Sequence, residues 1–210
     1  MAVLFLGFNT HTAFGSGSGG GGCFSTTGPV CTFKGHQASA DFSSVSDDGC
    51  VYTDAYVGIF ESLSSPSRTD SQTVFVYISQ WDNCTGALLA NATNFDPNSS
   101  MPTFTGTMQF GDQSASINGT AAMYDYNSGQ SFTTTINVSW KGYGPVSSII
   151  DSQHYRSPGF ILNSHSTSAS QSAEAAGVIT DQTGTNLATP PTLNANISDD
   201  SGGTVQMFRV

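Results

Sequence analysis

The sequence predicts an all-β protein, a β-sandwich or jelly roll of about nine to ten strands. Apolar and polar residues alternate along many short segments, which is the two-residue period of a strand. Clusters of Asp, Asn, Ser, Pro and Gly separate these segments, as turns do. Residues that stabilise helices are scarce, because Ser and Thr supply 55 of the 210 positions and Gly another 23. One stretch, residues 168–176, is also compatible with a short helix.

Two segments, residues 51–60 and 73–81, are apolar on both faces, so we expect them to be central strands. Two others, residues 104–110 and 132–140, alternate large apolar residues with Thr and Ser, which predicts half-buried strands with a wet Thr-rich face. The remaining predicted strands are residues 37–42, 88–95, 114–126, 172–179 and 204–210. The predicted turns are residues 47–49, 64–66, 96–98, 127–129 and 199–202.

The chain divides into an apolar segment (1–14), a Gly/Ser linker (15–22) and the β-sandwich domain (23–210). The apolar segment has three interpretations: a signal-peptide remnant, a strand inserted into its own sheet, or a strand that completes the sheet of the next molecule. No Lys or Arg precedes it and the run is short, which disfavours a signal peptide. Strand addition to the next molecule would build a filament. The residues of this self-assembly strand are Val3, Leu4, Phe5, Leu6 and Phe8.

Charge and hydropathy exclude several classes of partner. The chain has 5 basic and 15 acidic residues, a net charge of −10, so it lacks the cations that bind nucleic acid or anionic membrane surfaces. No apolar run reaches 18 residues, so we predict no membrane insertion as a helix.

The cysteines and glycan acceptors indicate an oxidising, extracellular compartment. Four cysteines allow three pairings, of which we favour Cys23–Cys31 and Cys50–Cys84. Their nearest spacing is eight residues, too wide for the close pairs of a structural zinc site. The candidate N-glycan acceptors are Asn83, Asn91, Asn98, Asn118, Asn137 and Asn196.

No motif in the sequence identifies a catalytic residue, a cofactor site or a metal site, and we predict none of these. Asp54 and Asp125 lie among aromatic residues in strand segments and could serve as acids in a sugar groove, but a carboxylate bonded to backbone is the preferred interpretation. Asp151, His154 and His165 have metal-ligand side chains, yet a turn separates the two histidines and a structured loop is preferred.

Aromatic residues on the two central segments have two interpretations. Tyr52, Tyr56, Tyr77 and Trp81 could form an exposed carbohydrate-binding stripe, or they could be the second buried layer of a sandwich. We prefer the buried layer, because both segments look central.

Residues 38–85 and 154–175 resemble a family of secreted bacterial all-β proteins, most distinctively in the segment S-Q-W-D-N-C-T-G at residues 79–86. The resemblance covers most of the chain after Cys31 and leaves out the N-terminal linker. It implies an extracellular bacterial origin and carries no assigned activity.

These observations together predict a secreted, extracellular or cell-surface protein with a structural or adhesive role rather than a catalytic one. Its expected partners are copies of itself, as a homo-oligomer or a filament joined by the N-terminal strand, and glycan. The alternative is a secreted carbohydrate-binding module or glycan hydrolase.

Overall fold

The computed structural model describes residues 31–65, 71–94, 104–158, 160–188 and 192–208, and every regular element within them is a β-strand. This confirms the all-β, sandwich-like prediction. The described residues contain no helix that is long and apolar enough to cross a membrane. The strands are β1 (Cys31–Val45), β2 (Val51–Ser65), β3 (Ser71–Asp82), β4 (Ala87–Thr93), β5 (Phe104–Gly111), β6 (Ser114–Asp125), β7 (Gln130–Gly142), β8 (Ser147–Ser157), β9 (Phe160–Thr180), β10 (Asn186–Ala188) and β11 (Thr192–Phe208).

All eleven strands belong to one antiparallel sheet that closes on itself. Its order runs β9, β11, β1, β2, β3, β4 and β6, and β7 then pairs with both β6 and β9. Strands β1 to β4 are neighbours in chain order, and short turns join β1 to β2 and β3 to β4. Strand β5 pairs with β6 beside β4, and β10 pairs with the end of β9. The closed circuit gives the sheet an inner face and an outer face.

The inner face holds the hydrophobic core. Alternate residues of each strand point inward, so the two-residue period of the sequence becomes a continuous apolar interior. The bulkiest fully buried side chains are Phe42, Val57, Ile59, Val74, Val76, Ile78, Ile117, Met123, Ile136, Val138, Trp140 and Ile179. Each such side chain contributes about 1.5–3 kcal/mol by leaving water. The outward side chains of β7, including Thr133, Thr135 and Ser139, are exposed, which confirms the predicted wet face.

Hairpin turns and one disulfide fix the ends of the central strands. Gly49 and Gly129 have φ of 75° and 70°, a conformation that glycine adopts at no steric cost, in two of the predicted turns. The Cys50–Cys84 disulfide joins the residue before β2 to a residue just after β3, as predicted. Cys23 lies outside the described residues, so the pairing of Cys23 with Cys31 stays a prediction.

One predicted turn was wrong, and the open choice between helix and strand at residues 168–176 is decided for strand. The predicted turn at residues 199–202 lies within β11, where the pairing with β9 shifts register between Asp200 and Thr204 and so accommodates one extra residue. Residues 168–176 are strand rather than helix, and they are part of the 21-residue β9. The apolar segment 1–14 and the linker 15–22 lie outside the described residues, so the three interpretations of that segment remain open.

Candidate functional site

The outer face of β2 and β3 presents six aromatic side chains, which we call the outer aromatic face. They are Tyr52, Tyr56 and Phe60 on β2 and Phe75, Tyr77 and Trp81 on β3. Their neighbours in sequence, such as Val57 and Val76, point into the core, so strand alternation places all six outside. The preferred interpretation, a second buried layer, was therefore wrong. Phe75, Tyr77 and Trp81 are 39%, 40% and 44% exposed, and those of β2 are half-buried.

Strand register brings these aromatic residues together in pairs. Tyr52 lies directly opposite Trp81, and Tyr56 lies directly opposite Tyr77. Phe60 and Phe75 pack edge to face with ring centroids 5.5 Å apart. The rings therefore lie in two rows on adjacent strands, with Asp54 and Ser79 between the Tyr52–Trp81 pair and the other four.

A glycine lets two of these rings lie close to the backbone. Gly58 stands between Tyr56 and Phe60, and a Cβ built there would approach the Tyr56 hydroxyl to 2.7 Å and the Phe60 ring to 3.1 Å. Gly58 is buried although it lies on the outer side of β2. Both rings therefore cover the glycine and lie close to the sheet.

Two carboxyl groups stand beside the aromatic rows. Asp54 lies on β2 between Tyr52 and Tyr56, and Asp41 lies on β1 opposite Tyr56. Both are half-buried, and the amide of Asn194 donates a 3.1 Å hydrogen bond to Asp41. Burial raises the pKa of the Asp54 carboxyl. Burial, and then the negative charge of Asp54, raise the pKa of Asp41, so the two carboxyl groups are close enough to interact.

Polar side chains complete the rim of this surface. Burial raises the pKa of the Tyr56 hydroxyl; a hydrogen bond with Ser39 acts against that shift, and the charge of Asp41 adds to it. The Ser39 hydroxyl also donates to Asn196 at 3.0 Å. A surface of this kind offers flat apolar ring faces next to hydrogen-bond acceptors and donors.

Asp125, the second predicted candidate acid, has the structural role that the sequence analysis preferred. It is fully buried at the β6–β7 turn, and its carboxylate accepts hydrogen bonds from the backbone N–H groups of Asn91 and Asn127 and from the Ser128 hydroxyl. It therefore lies apart from the outer aromatic face.

The candidate metal residues are not assembled as a site. His154 and His165 share one face of the β8–β9 hairpin, where His165 bonds Ser152 at 2.8 Å and His154 bonds Asn163. Asp151 points to the opposite face and accepts from Gln153 at 3.0 Å. No group of three potential metal ligands occurs in the part of the chain that is described. His154 lies in strand β8, rather than in the predicted loop.

The candidate glycan acceptors lie on the surface wherever they are described. Asn83, Asn118, Asn137 and Asn196 are exposed, and Asn118 lies directly opposite Asn137 on the outer side of β6 and β7. Asn91 is half-buried, and Asn98 lies outside the described residues. Their exposure meets one requirement for glycosylation, which itself stays a prediction.

Sequence reasoning missed Asp41 as a site residue, although a signal was present. The segment 37–42 was predicted as a strand, and its inward residues Ala38, Ala40 and Phe42 leave Ser39 and Asp41 on the same side as the aromatic rows.

Comparison of the chain with family models, curated proteins and solved structures finds no match.

Proposed function

We propose that this protein is an extracellular adhesive protein that binds neutral carbohydrate through its outer aromatic face. The observation that carries the proposal is the row of Phe75, Tyr77 and Trp81, each about two-fifths exposed on one side of β3. Monomeric proteins seldom leave contiguous large aromatic side chains in water without a binding role.

The chemistry of the face suits a sugar ring. The face of an aromatic ring is electron-rich, so it attracts the polarised C–H groups on the flat side of a pyranose. The carboxyl groups of Asp41 and Asp54 can accept hydrogen bonds from sugar hydroxyls, and Asn194 and Ser39 lie beside them. Because the site contributes acidic groups and the chain carries a net charge of −10, we expect neutral rather than acidic glycans.

The extracellular setting rests on separate observations. A disulfide such as Cys50–Cys84 persists in oxidising compartments. The exposed acceptors Asn118 and Asn137 and the resemblance to secreted bacterial proteins point the same way. Assembly into a filament through Val3–Phe8 remains part of the proposal, and it depends on residues outside the described ranges.

Retention of the full chain on immobilised neutral polysaccharides tests the binding proposal. We expect Trp81→Ala and Tyr77→Ala each to weaken retention about tenfold, the effect of losing roughly 1.4 kcal/mol of contact. Tyr143→Ala is the matched control, because Tyr143 is 44% exposed like Trp81 but follows β7. Failure of the wild type to bind any neutral glycan, or equal binding by all three variants, would overturn the proposal.

The pair of carboxyl groups favours a second candidate function, glycan hydrolysis. Most glycosidases use two carboxyl groups beside the scissile bond, one of them kept protonated by a raised pKa. Asp41 and Asp54 are two such carboxyl groups on a face suited to sugar, and burial raises the pKa of both. The test is release of reducing ends from the glycan that the protein retains. Release that stops in Asp54→Asn supports hydrolysis, and retention without release supports binding alone.

A further inference from the structure

Strand β8 is a long exposed edge of the sheet. It pairs with β9 along all eleven of its residues, from Ser147 opposite Ser170 to Ser157 opposite Phe160. Within the described residues no strand pairs with its other side. Ten of its eleven side chains are exposed, so both faces of the strand are accessible. Such an edge presents a row of backbone N–H and C=O groups to solvent.

Two of the usual protections of an edge strand, a bulge and a proline, are missing from β8. Natural edges are short, bulged, charged or interrupted by proline. The β8–β9 register runs without a shift, and no proline lies between Ser147 and Ser157. The strand also exposes Ile149, Ile150 and Tyr155, of which Ile150 is 69% exposed. This edge is therefore suited to pairing with another strand.

The side-chain pattern of β8 is symmetric about Ser152. On one face the order is Ile149, Asp151, Gln153 and Tyr155, which is apolar, polar, polar, apolar. Two copies of this strand placed antiparallel, with Ser152 facing Ser152, set Ile149 of each against Tyr155 of the other. The same register sets Asp151 against Gln153, two groups that already hydrogen-bond at 3.0 Å within one strand.

The opposite face accepts the same register. It sets Ile150 of each copy against His154 of the other, and Ser148 against Arg156, so no like charges meet. Within β8 the charges of Asp151 and Arg156 cancel, so the strand is locally neutral in a chain of net charge −10. Two copies of the chain repel each other through their net negative charge, but β8 itself adds nothing to that repulsion.

We propose that two copies of this chain join at β8, antiparallel about a two-fold axis at Ser152, so that one continuous sheet runs through both. An axis of this kind makes each contact twice, as in most soluble homodimers. The proposal concerns a different surface from the glycan-binding face and holds whether or not the protein binds glycan.

Charge swaps at positions 149 and 155 test this register. One variant carries Ile149→Lys with Tyr155→Lys, and another carries Ile149→Glu with Tyr155→Glu. Each alone should sediment as a monomer, because like charges meet twice, and an equal mixture should recover a species of twice the monomer mass. Val45→Lys is the matched control, because Val45 and Tyr155 are both 56% exposed, and it should dimerise like the wild type.

Two further measurements complete the test. Because all the substituted positions are exposed, we expect every variant to fold, and circular dichroism and thermal melting check this. Deletion of residues 1–14 should leave the dimer intact. A wild type that stays monomeric at about 100 µM, far above a micromolar Kd, a mixture of the charged variants that fails to associate, or loss of the dimer on that deletion would each overturn the proposal.

Discussion

The indole Nε1 of Trp81 donates a 2.9 Å hydrogen bond to the hydroxyl of Ser79, two residues earlier on the same side of β3. Ser79 is only 7% exposed although it lies on the outer side of the strand, whereas Trp81 is 44% exposed. The indole therefore covers the serine and is held over the sheet by it. A ring held in place before binding loses less conformational entropy when a ligand stacks on it.

Ser79→Ala should weaken glycan retention several-fold with little loss of stability. The substitution removes one hydrogen bond, which contributes about 0.5–1.5 kcal/mol to folding, and it frees the Trp81 ring to reorient. Urea denaturation and retention on glycan measure the two effects separately. Ser131→Ala, at an exposed position on β7, is the control and should leave both unchanged. Unaltered retention in Ser79→Ala would mean that the bond does not orient the ring for binding.

Asp54→Asn should stabilise the fold at neutral pH while weakening glycan retention. Burial raises the pKa of Asp54 above 3.8, so the folded protein holds this proton more tightly than the unfolded chain does. The charged form therefore destabilises the fold above the raised pKa, and this penalty disappears as the pH falls below 3.8. Because the group is half-exposed, we expect a gain of less than about 1 kcal/mol at pH 7 and none at pH 3.

Asp48→Asn provides a control of opposite sign for that experiment. A hydrogen bond from the Ser46 hydroxyl and another from the Cys50 N–H lower the pKa of Asp48, so its charged form stabilises the fold. Asp48→Asn should therefore lower the denaturation midpoint at pH 7. Destabilisation at pH 7 by both substitutions would contradict the assignment for Asp54.

The inner face of the sheet was predictable from the sequence because burial there follows strand alternation. Apolar residues recur at every second position, as at Val57, Ile59, Val74 and Val76. Their side chains all point to the inner face, where the closed sheet buries them. The Cys50–Cys84 bridge was predictable for a related reason, since two adjacent antiparallel strands bring the start of one beside the end of the next.

The outer face was not predictable in the same way. Aromatic residues on both sides of a strand are equally consistent with a covering second sheet and with an exposed binding surface, and Tyr77 and Trp81 proved to be exposed. Strand β8 gave no sequence signal, because it is exposed on both faces and so has no apolar alternation. Asp199 and Asp200 resemble a turn locally, and the pairing of β11 with β1 and β9 overrides that preference.

Removing the Cys50–Cys84 disulfide should destabilise the protein by about 3–4 kcal/mol, because the bridge closes a loop of 34 residues and so limits the unfolded chain. The double variant Cys50→Ser with Cys84→Ser, compared with the wild type by urea denaturation, measures this difference. An unchanged free energy of unfolding would show that the pairing of β2 with β3 is enough to hold Cys50 and Cys84 together.

Substitutions on the two faces of β7 should differ sharply. Ile136 is fully buried, so Ile136→Ala should cost about 2–5 kcal/mol through lost burial and the cavity left behind. Thr133 is exposed on the wet face of the same strand, so Thr133→Ala should change stability by less than about 0.5 kcal/mol. Thermal or chemical denaturation of the pair checks the assignment, and equal effects would contradict the inward and outward placement.

Asp125 should be critical for the point at which the sheet closes between β4 and β6. Two residue pairs join these strands within the described residues, Ala92 with Asp125 and Thr93 with Tyr124. The Asp125 carboxylate adds a hydrogen bond from the Asn91 N–H at 2.9 Å, and the Tyr126 N–H donates to the Asn91 carbonyl. Asp125→Ala leaves the partly buried hydrogen bonds from Asn91, Asn127 and Ser128 without their acceptor, so we expect a loss of about 2–4 kcal/mol.

Low pH should weaken the contact between β4 and β6 in the wild type. Substitutions at Asp125 and Ser128 test whether the Asp125 carboxylate is responsible. Burial alone would raise the pKa of Asp125, but hydrogen bonds from the Ser128 hydroxyl and from the backbone N–H groups of Asn91, Asn127 and Ser128 outweigh it and lower the pKa below 3.8. The stabilisation is therefore complete above pH 3.8 and is lost as the pH falls through the lowered value. Ser128→Ala removes one of these bonds and should cost about 1 kcal/mol at pH 7. Asp125→Asn should make the acid limb of the stability curve shallower, and a limb as steep as that of the wild type would assign the acid sensitivity to other carboxylates such as Asp48.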